Sequence, residues 1–412
     1  MFDYSSFFKN KIEDLFKESR YRHFAHLERL QEEPPFAWIY KHPALPDLTP
    51  RKVSVWCSND YLGLTQHPEM IQAHSNAAEN FGVGSGGTRN IAGSACLHEN
   101  LEKRLAQLHG KEQALLFSSG YVANETTLQT LGEKIPNVIF LSDEKIHASM
   151  IHGIRNSRAE KMIFKHNDMT DLEQKLSSLD FDRPKIIVVV SIYSMDGNQA
   201  KLESICDLAE KYNALIFLDE VHAVGIYGKG GAGIANQLEL QDRIHIIQGN
   251  FAKGFGSFGG YISANSEIID FIRSYGSGFI FTTSLPPSVV SSSIKALDIL
   301  NESSALQDSF HKRVNYLKSK LAESNILNYR STDSHIIPIH IGDSLLCSKI
   351  SQDLLMDYSI YAQPINYPTV PQGLERLRVT VTPNHTFELI DYFVQSLEKV
   401  WIKNNFKNRK VA

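Results

Sequence analysis

The stretch IIQGNFAKGFGSFGGYIS, residues 246–263, presents one lysine, Lys253, among five glycines. An apolar run at residues 244–247 leads into the loop that carries Lys253, and Tyr261 and Ile262 follow that loop. The sequence therefore predicts two strands, with the lysine beyond the end of the first. We expect the glycines to keep the intervening loop flexible. Most lysines are solvated surface charges, but an amine whose pKa is lowered by burial or by a neighbouring cation attacks aldehydes. Lys253 is therefore a candidate Schiff-base residue.

The run ALIFLDEVHAVGIYGKGGAG, residues 214–233, places polar side chains after another strand. Its first five residues predict a buried parallel strand, and Asp219, Glu220 and His222 follow at the position where ligands bind in open α/β sheets. Taken alone, Asp219 would also suit a helix N-cap. Beside Lys253, it is the carboxylate that could keep the ring nitrogen of pyridoxal 5′-phosphate (PLP) protonated, which makes the ring an electron sink. The two stretches together predict a PLP site.

The composition limits the class of protein. The chain has 412 residues, of which 42% are hydrophobic and 21% charged, and a formal net charge of −4. These values are typical of a soluble globular protein and give no reason to expect a nucleic acid or membrane partner. Four widely spaced cysteines without a C-x-x-C pair fit reduced thiols, and the presence of Glu13, Asp14 and Glu18 in the first twenty residues argues against a secretory or transit signal. We therefore expect a cytoplasmic protein, and we predict no metal site.

Short apolar runs alternate with helical periods through the middle of the chain. This pattern predicts the α/β class, with a doubly wound, mostly parallel sheet in a large domain at residues 53–287. Residues 1–52 resemble an arm, whose amphipathic helix should pack on another surface such as a second subunit, and residues 288–412 predict a small α+β domain. The predicted strands are residues 53–57, 114–117, 138–141, 186–190, 214–218 and 244–247.

The loops after these strands offer further parts of a cofactor site. In SSGYVAN, residues 118–124, small residues at a helix start suit a phosphate, which makes Ser118, Gly120 and Tyr121 candidates. His147 follows the next strand and could lie over a planar ring, although a lone histidine is more often structural. Thr282 and Thr283 of FIFTTSLPP, residues 279–287, could bind the phosphate or simply form a turn with a helix N-cap.

The glycine-rich run GVGSGGTRN, residues 82–90, is a candidate substrate pocket. It does not match a dinucleotide-binding fingerprint, because no strong strand precedes it and no acidic residue for the ribose can be identified. Glycines allow close backbone approach. Thr88 and Asn90 would then lie at the floor of a pocket narrow enough to select a small amino acid.

Ordered motifs along the chain make it similar to the α-oxoamine synthase family of fold-type I PLP-dependent enzymes. The resemblance extends from about residue 20 to beyond residue 382 and includes RYRHF, VWCSNDYLG, GSGGTRN, SSGYVAN, YSMDG, LDEVHAVGIYG, GFIFTTSLPP, SHIIPIHIGD and INYPTV. It implies a fold-type I transferase. The implied reaction is an acyl transfer that condenses glycine with succinyl-CoA, giving 5-aminolevulinate, CoA and CO2 in the first step of haem biosynthesis. It also implies a homodimer with shared active sites.

The resemblance assigns roles to individual residues. Lys253 would bind the cofactor and then remove the pro-R proton of glycine, while His222 would hydrogen-bond the phenolic oxygen and His147 would stack on the ring. The catalytic candidates are thus Lys253, His147, Asp219 and His222, and the further cofactor-binding candidates are Ser118, Gly120, Tyr121, Ser191, Asn250, Thr282 and Thr283.

The substrate roles follow in the same way. Arg378 would bind the glycine carboxylate with both arms of its guanidinium. Arg22 and Thr369 would hold the distal carboxylate of succinyl-CoA. Asn59 would contact the amino-acid end, and Thr88 would exclude larger amino acids. Arg22, Thr282 and Thr283 would come partly from the neighbouring subunit.

Five positions depart from the family pattern and keep alternatives open: Ile146, Val190, Asn250, Gln372 and Leu374. They could change the acyl-CoA or cofactor pocket. The alternatives are an α-oxoamine synthase with another acyl-CoA or amino acid, a paralogue that makes 5-aminolevulinate for a specialised product, or a catalytically silent PLP-binding scaffold. No cysteine precedes a proline, so the haem-regulatory dipeptide of mitochondrial relatives is missing, which favours a bacterial form.

Overall fold

A computed structural model describes residues 1–18, 20–42, 49–324, 327 and 329–404 of the protein. Within these residues the chain forms fourteen strands: β1 (His26–Arg29), β2 (Phe36–Lys41), β3 (Arg51–Val55), β4 (Gln113–Phe117), β5 (Ile139–Asp143), β6 (Glu160–Phe164), β7 (Lys185–Val190), β8 (Ala214–Asp219), β9 (Ile246–Asn250), β10 (Gly260–Ala264), β11 (Ile337–His340), β12 (Ile360–Tyr361), β13 (Pro364–Ile365) and β14 (Arg376–Val379).

The same described residues contain fourteen α-helices: α1 (Tyr4–Lys17), α2 (Pro68–Phe81), α3 (Cys96–His109), α4 (Gly120–Lys134), α5 (Ala148–Ser157), α6 (Met169–Ser177), α7 (Leu202–Lys211), α8 (Ile234–Gln237), α9 (Ser266–Tyr275), α10 (Ser277–Ile280), α11 (Pro287–Glu302), α12 (Ala305–Glu323), α13 (Ser344–Tyr358) and α14 (Phe387–Lys403). Among them, none is both long enough and apolar enough to cross a membrane.

The chain divides into two compact units. The larger unit contains Asn59–Ser194 and Asn198–Asp308, and the smaller unit contains Met1–Ser58, Met195–Gly197 and Ser309–Ala412. The smaller unit thus combines the beginning of the chain with its end. The three segments predicted from the sequence (1–52, 53–287 and 288–412) divide the chain linearly, and the last eight residues of the third lie outside the described residues.

A seven-stranded sheet forms the centre of the larger unit. Its strand order is β4-β10-β9-β8-β7-β5-β6, and every neighbouring pair is parallel except the two pairs that β10 makes with β9 and β4. All six residues of β7 are buried, as is usual for strands of a sheet covered on both faces. The predicted mostly parallel α/β sheet is confirmed. The sequence missed β6 because most of this edge strand is exposed and it begins with Glu160 and Lys161.

One predicted strand belongs to a different sheet. Residues 53–57 were expected to open the large sheet, but the strand there, β3, lies in the smaller unit in a four-stranded sheet of order β1-β2-β3-β12. Its backbone pairs with β2 on one side and with β12 on the other, and Val53 packs with Ile39 and Leu355 in one apolar cluster. An apolar run identifies a strand but not its neighbours, and for this reason the assignment to the large sheet was wrong.

The smaller unit also contains the three-stranded sheet β11-β14-β13 and an aromatic core. Trp56 stacks on Phe393 of α14 with ring centroids 4.1 Å apart, and the ring of His385 meets the same tryptophan edge-on at 4.4 Å. Burial lowers the pKa of His385 to about 3, so this histidine is neutral inside the core. By contrast, α1 has no buried residue.

Candidate active site

A cavity of about 430 Å³ lies in the larger unit where the parallel strands β5, β7 and β8 end. Carboxyl ends of parallel strands meet at one edge of a sheet, which is why loops distant in sequence converge there. Seven of the predicted residues line the cavity: Gly120, Tyr121, His147, Asp219, His222, Asn250 and Lys253. The other lining residues are Asn124, Lys145, Ser149, Val190, Ser194 and Val221.

Lys253 lies in the connection between the antiparallel strands β9 and β10. Close packing holds this connection in place: a Cβ at Gly254 would lie 2.2 Å from the carbonyl oxygen of Val224, and one at Gly256 would lie 2.6 Å from the backbone of Thr65. Phe251 and Phe255, both fully buried, anchor it from within. The glycines therefore permit close backbone contacts here, and the flexibility expected from the sequence is not their purpose.

Asp219 ends β8 and is only 3% exposed. One carboxylate oxygen accepts a hydrogen bond from the Val221 backbone N–H at 2.9 Å, and the other accepts one from Nδ2 of Asn124 at 2.8 Å. Asn124 also donates to the Ser149 hydroxyl at 3.1 Å. Because each bond fixes one oxygen, the carboxylate enters the cavity in a single orientation.

His222 is held by a tyrosine that the sequence analysis did not single out. The hydroxyl of Tyr61 lies 2.7 Å from Nδ1 of His222 and 3.3 Å from Oδ1 of Asn59. Tyr61 is fully buried and does not line the cavity, so Nδ1 of His222 has a partner held inside the protein. Predicted Asn59 therefore joins the site through Tyr61 and does not itself line the cavity.

His147 is the N-cap of α5 and faces the cavity. Its Nδ1 lies 2.8 Å from the Ser149 hydroxyl and 3.3 Å from the Ser149 backbone N–H. Burial and the cationic Lys253 hold the pKa of His147 below its ordinary value, although the Asp219 carboxylate acts in the opposite direction. The imidazole is thus favoured in its neutral form, with the flat ring open to a ligand.

The start of α4 forms a cradle of backbone groups. Ser119 caps the helix by accepting the Val122 N–H at 3.1 Å, and the first turn leaves N–H groups that have no acceptor within the helix. A Cβ at Gly260 would lie 2.4 Å from the Gly120 nitrogen, so β10 presses directly on this turn. Asn250 also lines the cavity, and its side-chain oxygen is buried without a hydrogen-bond partner among the described residues.

Two buried groups lie behind the cavity. The hydroxyl of Ser191 donates to the backbone oxygen of Asp219 at 3.3 Å, and Ser191 is not among the lining residues. The Glu220 carboxylate accepts the backbone N–H groups of Ile234 and Ala235 at 3.1 and 2.7 Å. Burial raises the pKa of Glu220 to about 7.

Three predicted phosphate ligands open onto a second cavity of the larger unit. Ser118, Thr282 and Thr283 line this space of about 270 Å³ together with Arg89 and His98. Thr283 forms an isolated antiparallel bridge with Thr88, whose hydroxyl donates to Oδ1 of Asn90 at 2.6 Å. The structure therefore places Thr283 beside Thr88, and neither threonine lines the Lys253 cavity.

The predicted carboxylate ligands lie in the smaller unit. Nη2 of Arg22 donates to the Thr369 hydroxyl at 3.3 Å, although 347 positions separate the two residues. Beside this bond, the guanidinium of Arg20 lies 5.2 Å above the ring of Tyr367. Arg378 is buried in β14.

The sequence carried a signal for one missed residue. Asn124 belongs to the stretch SSGYVAN and stands four positions after Gly120, so both lie on one face of α4. Of the departures from the family pattern, Val190 and Asn250 line the cavity, Ile146 is buried, and Gln372 and Leu374 are exposed in the smaller unit.

Comparisons with known proteins agree on the family. A family model described as aminotransferase class I and II matches residues 51–397. The 5-aminolevulinate synthase of Bradyrhizobium diazoefficiens is 49% identical over 399 residues, covering 97% of this chain and 96% of that protein. The mitochondrial 5-aminolevulinate synthase of Schizosaccharomyces pombe is 50% identical over 409 residues, covering 98% and 71%.

A solved structure supports the same conclusion. SPT with PLP as an internal aldimine has a TM-score of 0.89 and 27% identity to this chain, and the match covers 98% of this chain and 100% of that one. The chain therefore belongs to the 5-aminolevulinate synthases, within the class I and II aminotransferase family.

Proposed function

We propose that the protein is a PLP-dependent acyltransferase that condenses glycine with succinyl-CoA and releases 5-aminolevulinate, CoA and CO2, the first step of haem biosynthesis. The observation that carries the proposal is the meeting of Lys253, Asp219, His222 and His147 in one cavity, in a chain that belongs to the 5-aminolevulinate synthases. A silent scaffold would have no need for a lysine held at such a place.

The residues present fit PLP. A phosphate suits the start of α4, where backbone N–H groups converge, and the side-chain NH2 of Asn250, which lines the same cavity, can donate a further hydrogen bond to it. Asp219, held by two hydrogen bonds, suits a protonated ring nitrogen. The neutral imidazole of His147 suits the face of an aromatic ring. Each part of the cofactor thus has a chemically matched group.

When bound, PLP supplies an aldehyde for the amino acid and an electron sink for charge at its α-carbon. Lys253 would hold the cofactor covalently, and its Nζ, once displaced by the amino group of glycine, would take a proton from the α-carbon of glycine. Asp219 would keep the ring nitrogen protonated through its carboxylate, whose two oxygens are oriented by hydrogen bonds from Asn124 and Val221. His222, oriented by Tyr61, binds the phenolic oxygen. Ser191 contributes from behind by supporting the backbone of Asp219.

Further residues bind the two ends of the substrates. Arg22, together with Thr369, binds the distal carboxylate of succinyl-CoA, since a guanidinium forms charge-assisted hydrogen bonds with a carboxylate. Arg378 binds the carboxylate of glycine. Thr88 and Asn90 restrict the space beside the amino acid, and Asn59 contacts the amino-acid end.

The proposal includes a homodimer with shared active sites and a cytoplasmic, bacterial-type location. Large apolar side chains flank the predicted threonines along the chain: Val83 is 84% exposed, Ile91 81% and Phe281 79%. Apolar surface of this kind is buried favourably by association. In such a dimer, Thr282 and Thr283 from one copy would complete the phosphate site of the other.

The test is an acyl-CoA panel. Purified protein is mixed with PLP, glycine and succinyl-CoA, or with shorter or longer acyl-CoAs, and the products are identified by mass. We expect 5-aminolevulinate from succinyl-CoA as the dominant product. Turnover restricted to another acyl-CoA would contradict the proposed reaction and indicate a different α-oxoamine synthase. Binding of PLP without turnover of any acyl-CoA would indicate a catalytically silent scaffold.

A further inference from the structure

Tyr121 is an aromatic residue that lines the Lys253 cavity while remaining 39% exposed. A side chain so open to solvent can adopt several rotamers, so its contacts decide where the ring lies. Its hydroxyl hydrogen-bonds with Nδ1 of His152. Its ring meets that of His152 edge-on at a centroid distance of 6.0 Å and that of His147 at 6.3 Å.

Helix α5 carries both histidines. His147 is its N-cap and faces the cavity, whereas His152 lies further along the helix and does not line the cavity. Next to His152, a Cβ at Gly153 would lie 2.8 Å from the Glu125 carbonyl of α4. The two helices therefore approach each other closely beside His152, and this approach brings its ring to Tyr121.

A second side-chain link joins the same two helices. Nδ2 of Asn156 donates to Oε1 of Glu125 at 3.0 Å, and neither residue lines the cavity. Both links are exposed and both run from α5 to α4. They differ in that only the link from His152 ends on a residue of the cavity wall.

We propose that His152 is a positioning residue that fixes the ring of Tyr121 against His147 and thereby shapes the cavity for PLP. The inference rests on the proposed function, since it takes PLP as the ligand. A wall that is ordered before binding lowers the entropy lost when the ligand binds. Because His152 does not touch the cavity, its effect passes through the Tyr121 hydroxyl.

The test compares PLP affinities. Full-length protein freed of cofactor is titrated with PLP, followed by absorbance and by visible circular dichroism, for wild type and for the variants H152A, H152N and N156A. We expect H152A to bind PLP about 3- to 10-fold more weakly, the range expected for the loss of one hydrogen bond. H152N keeps an acceptor near the position of Nδ1 and should restore affinity, and N156A should match wild type.

The variant Y121F and the double variant Y121F/H152A test whether His152 acts by positioning Tyr121 or only by holding α5 against α4. Y121F removes the hydroxyl and keeps the ring, so it should weaken PLP binding as much as H152A does, and the double variant should be no weaker than either single one. Equal losses in H152A and N156A would overturn the proposal in favour of helix docking. Additive losses in the double variant would also overturn it, because the two residues would then act independently.

An assay of product formation on the wild-type protein distinguishes this inference from the proposed function. Wild type that binds PLP but makes no 5-aminolevulinate would overturn the reaction, while the affinity comparison would still decide the role of His152. Wild type that makes 5-aminolevulinate, with H152A matching it in PLP affinity and dichroism, would overturn the role of His152 alone.

Discussion

The Lys253 cavity and the Arg22–Thr369 pair are built in different ways. In the cavity, polar residues follow the ends of strands in one sheet, and Asp219 is 3% exposed with both carboxylate oxygens bonded. Arg22 and Thr369 lie in solvent on an arm and a loop, joined by one bond of 3.3 Å. The electrostatic interaction of a buried, fixed group with a charged ligand is strong, whereas water weakens the electrostatic interactions of an exposed pair. We therefore expect substitutions in the cavity to reduce turnover, and substitutions at the pair to change substrate affinity.

The largest effect in this comparison is expected at Asp219. The variant D219N keeps the size of the side chain but removes the charge that, in the proposed function, holds the ring nitrogen of PLP protonated. We expect kcat to fall by about 10²- to 10³-fold, a usual loss when one electrostatic contact of an active site is removed. Steady-state formation of 5-aminolevulinate measures this. A kcat close to wild type, with only KM changed, would contradict the expectation that substitutions in the cavity reduce turnover.

A smaller effect is expected at the exposed pair. The variant R22A removes the proposed charge-assisted contact with the distal carboxylate, and we expect the KM for succinyl-CoA to rise about 10-fold or more. The KM for glycine is the internal control and should not change. Initial rates at varied concentrations of each substrate separate the two constants. A fall in kcat with both KM values intact would mean that Arg22 acts on the chemistry.

The smallest effect concerns stability and the buried Glu220. Burial raises its pKa from 4.5 to about 7, so between these values the unfolded chain releases a proton that the folded protein keeps. The contribution of Glu220 to the free energy of unfolding therefore decreases as the pH rises through this window.

The variant E220Q removes this titration. In urea unfolding with saturating PLP, we expect the free energy of unfolding of wild type to decrease relative to that of E220Q between about pH 4.5 and 7. A difference between the two proteins that stays constant over this window would mean that the pKa of Glu220 is not raised.

The two regions also differ in what the sequence could predict. The positions of Asp219, His147 and Lys253 at or after strand ends could be predicted, because buried parallel strands are continuous apolar segments in the sequence. The partner of Asp219 was missed, since Asn124 lies in a helix 95 positions earlier and no periodicity joins it to that carboxylate. For Arg22 and Thr369 the sequence offered only family resemblance, because contacts between an arm and a distant loop leave no local pattern.

The same limit explains the misplaced strand. Residues 53–57 have the apolar character of a central strand, but their neighbours in the sheet, β2 and β12, come from both ends of the chain. Hydrogen-bond partners of a strand are a tertiary property. The existence of the strand could therefore be predicted, and its sheet could not.

The most direct test of the role proposed for Lys253 is to locate the covalent bond between the protein and PLP. Wild-type protein with PLP is reduced with borohydride, digested and analysed by mass, with K253A as the control. We predict a cofactor adduct on the peptide that contains Lys253 and none in K253A. An adduct on Lys145, the other lysine that lines the cavity, or an unchanged adduct in K253A, would contradict the account.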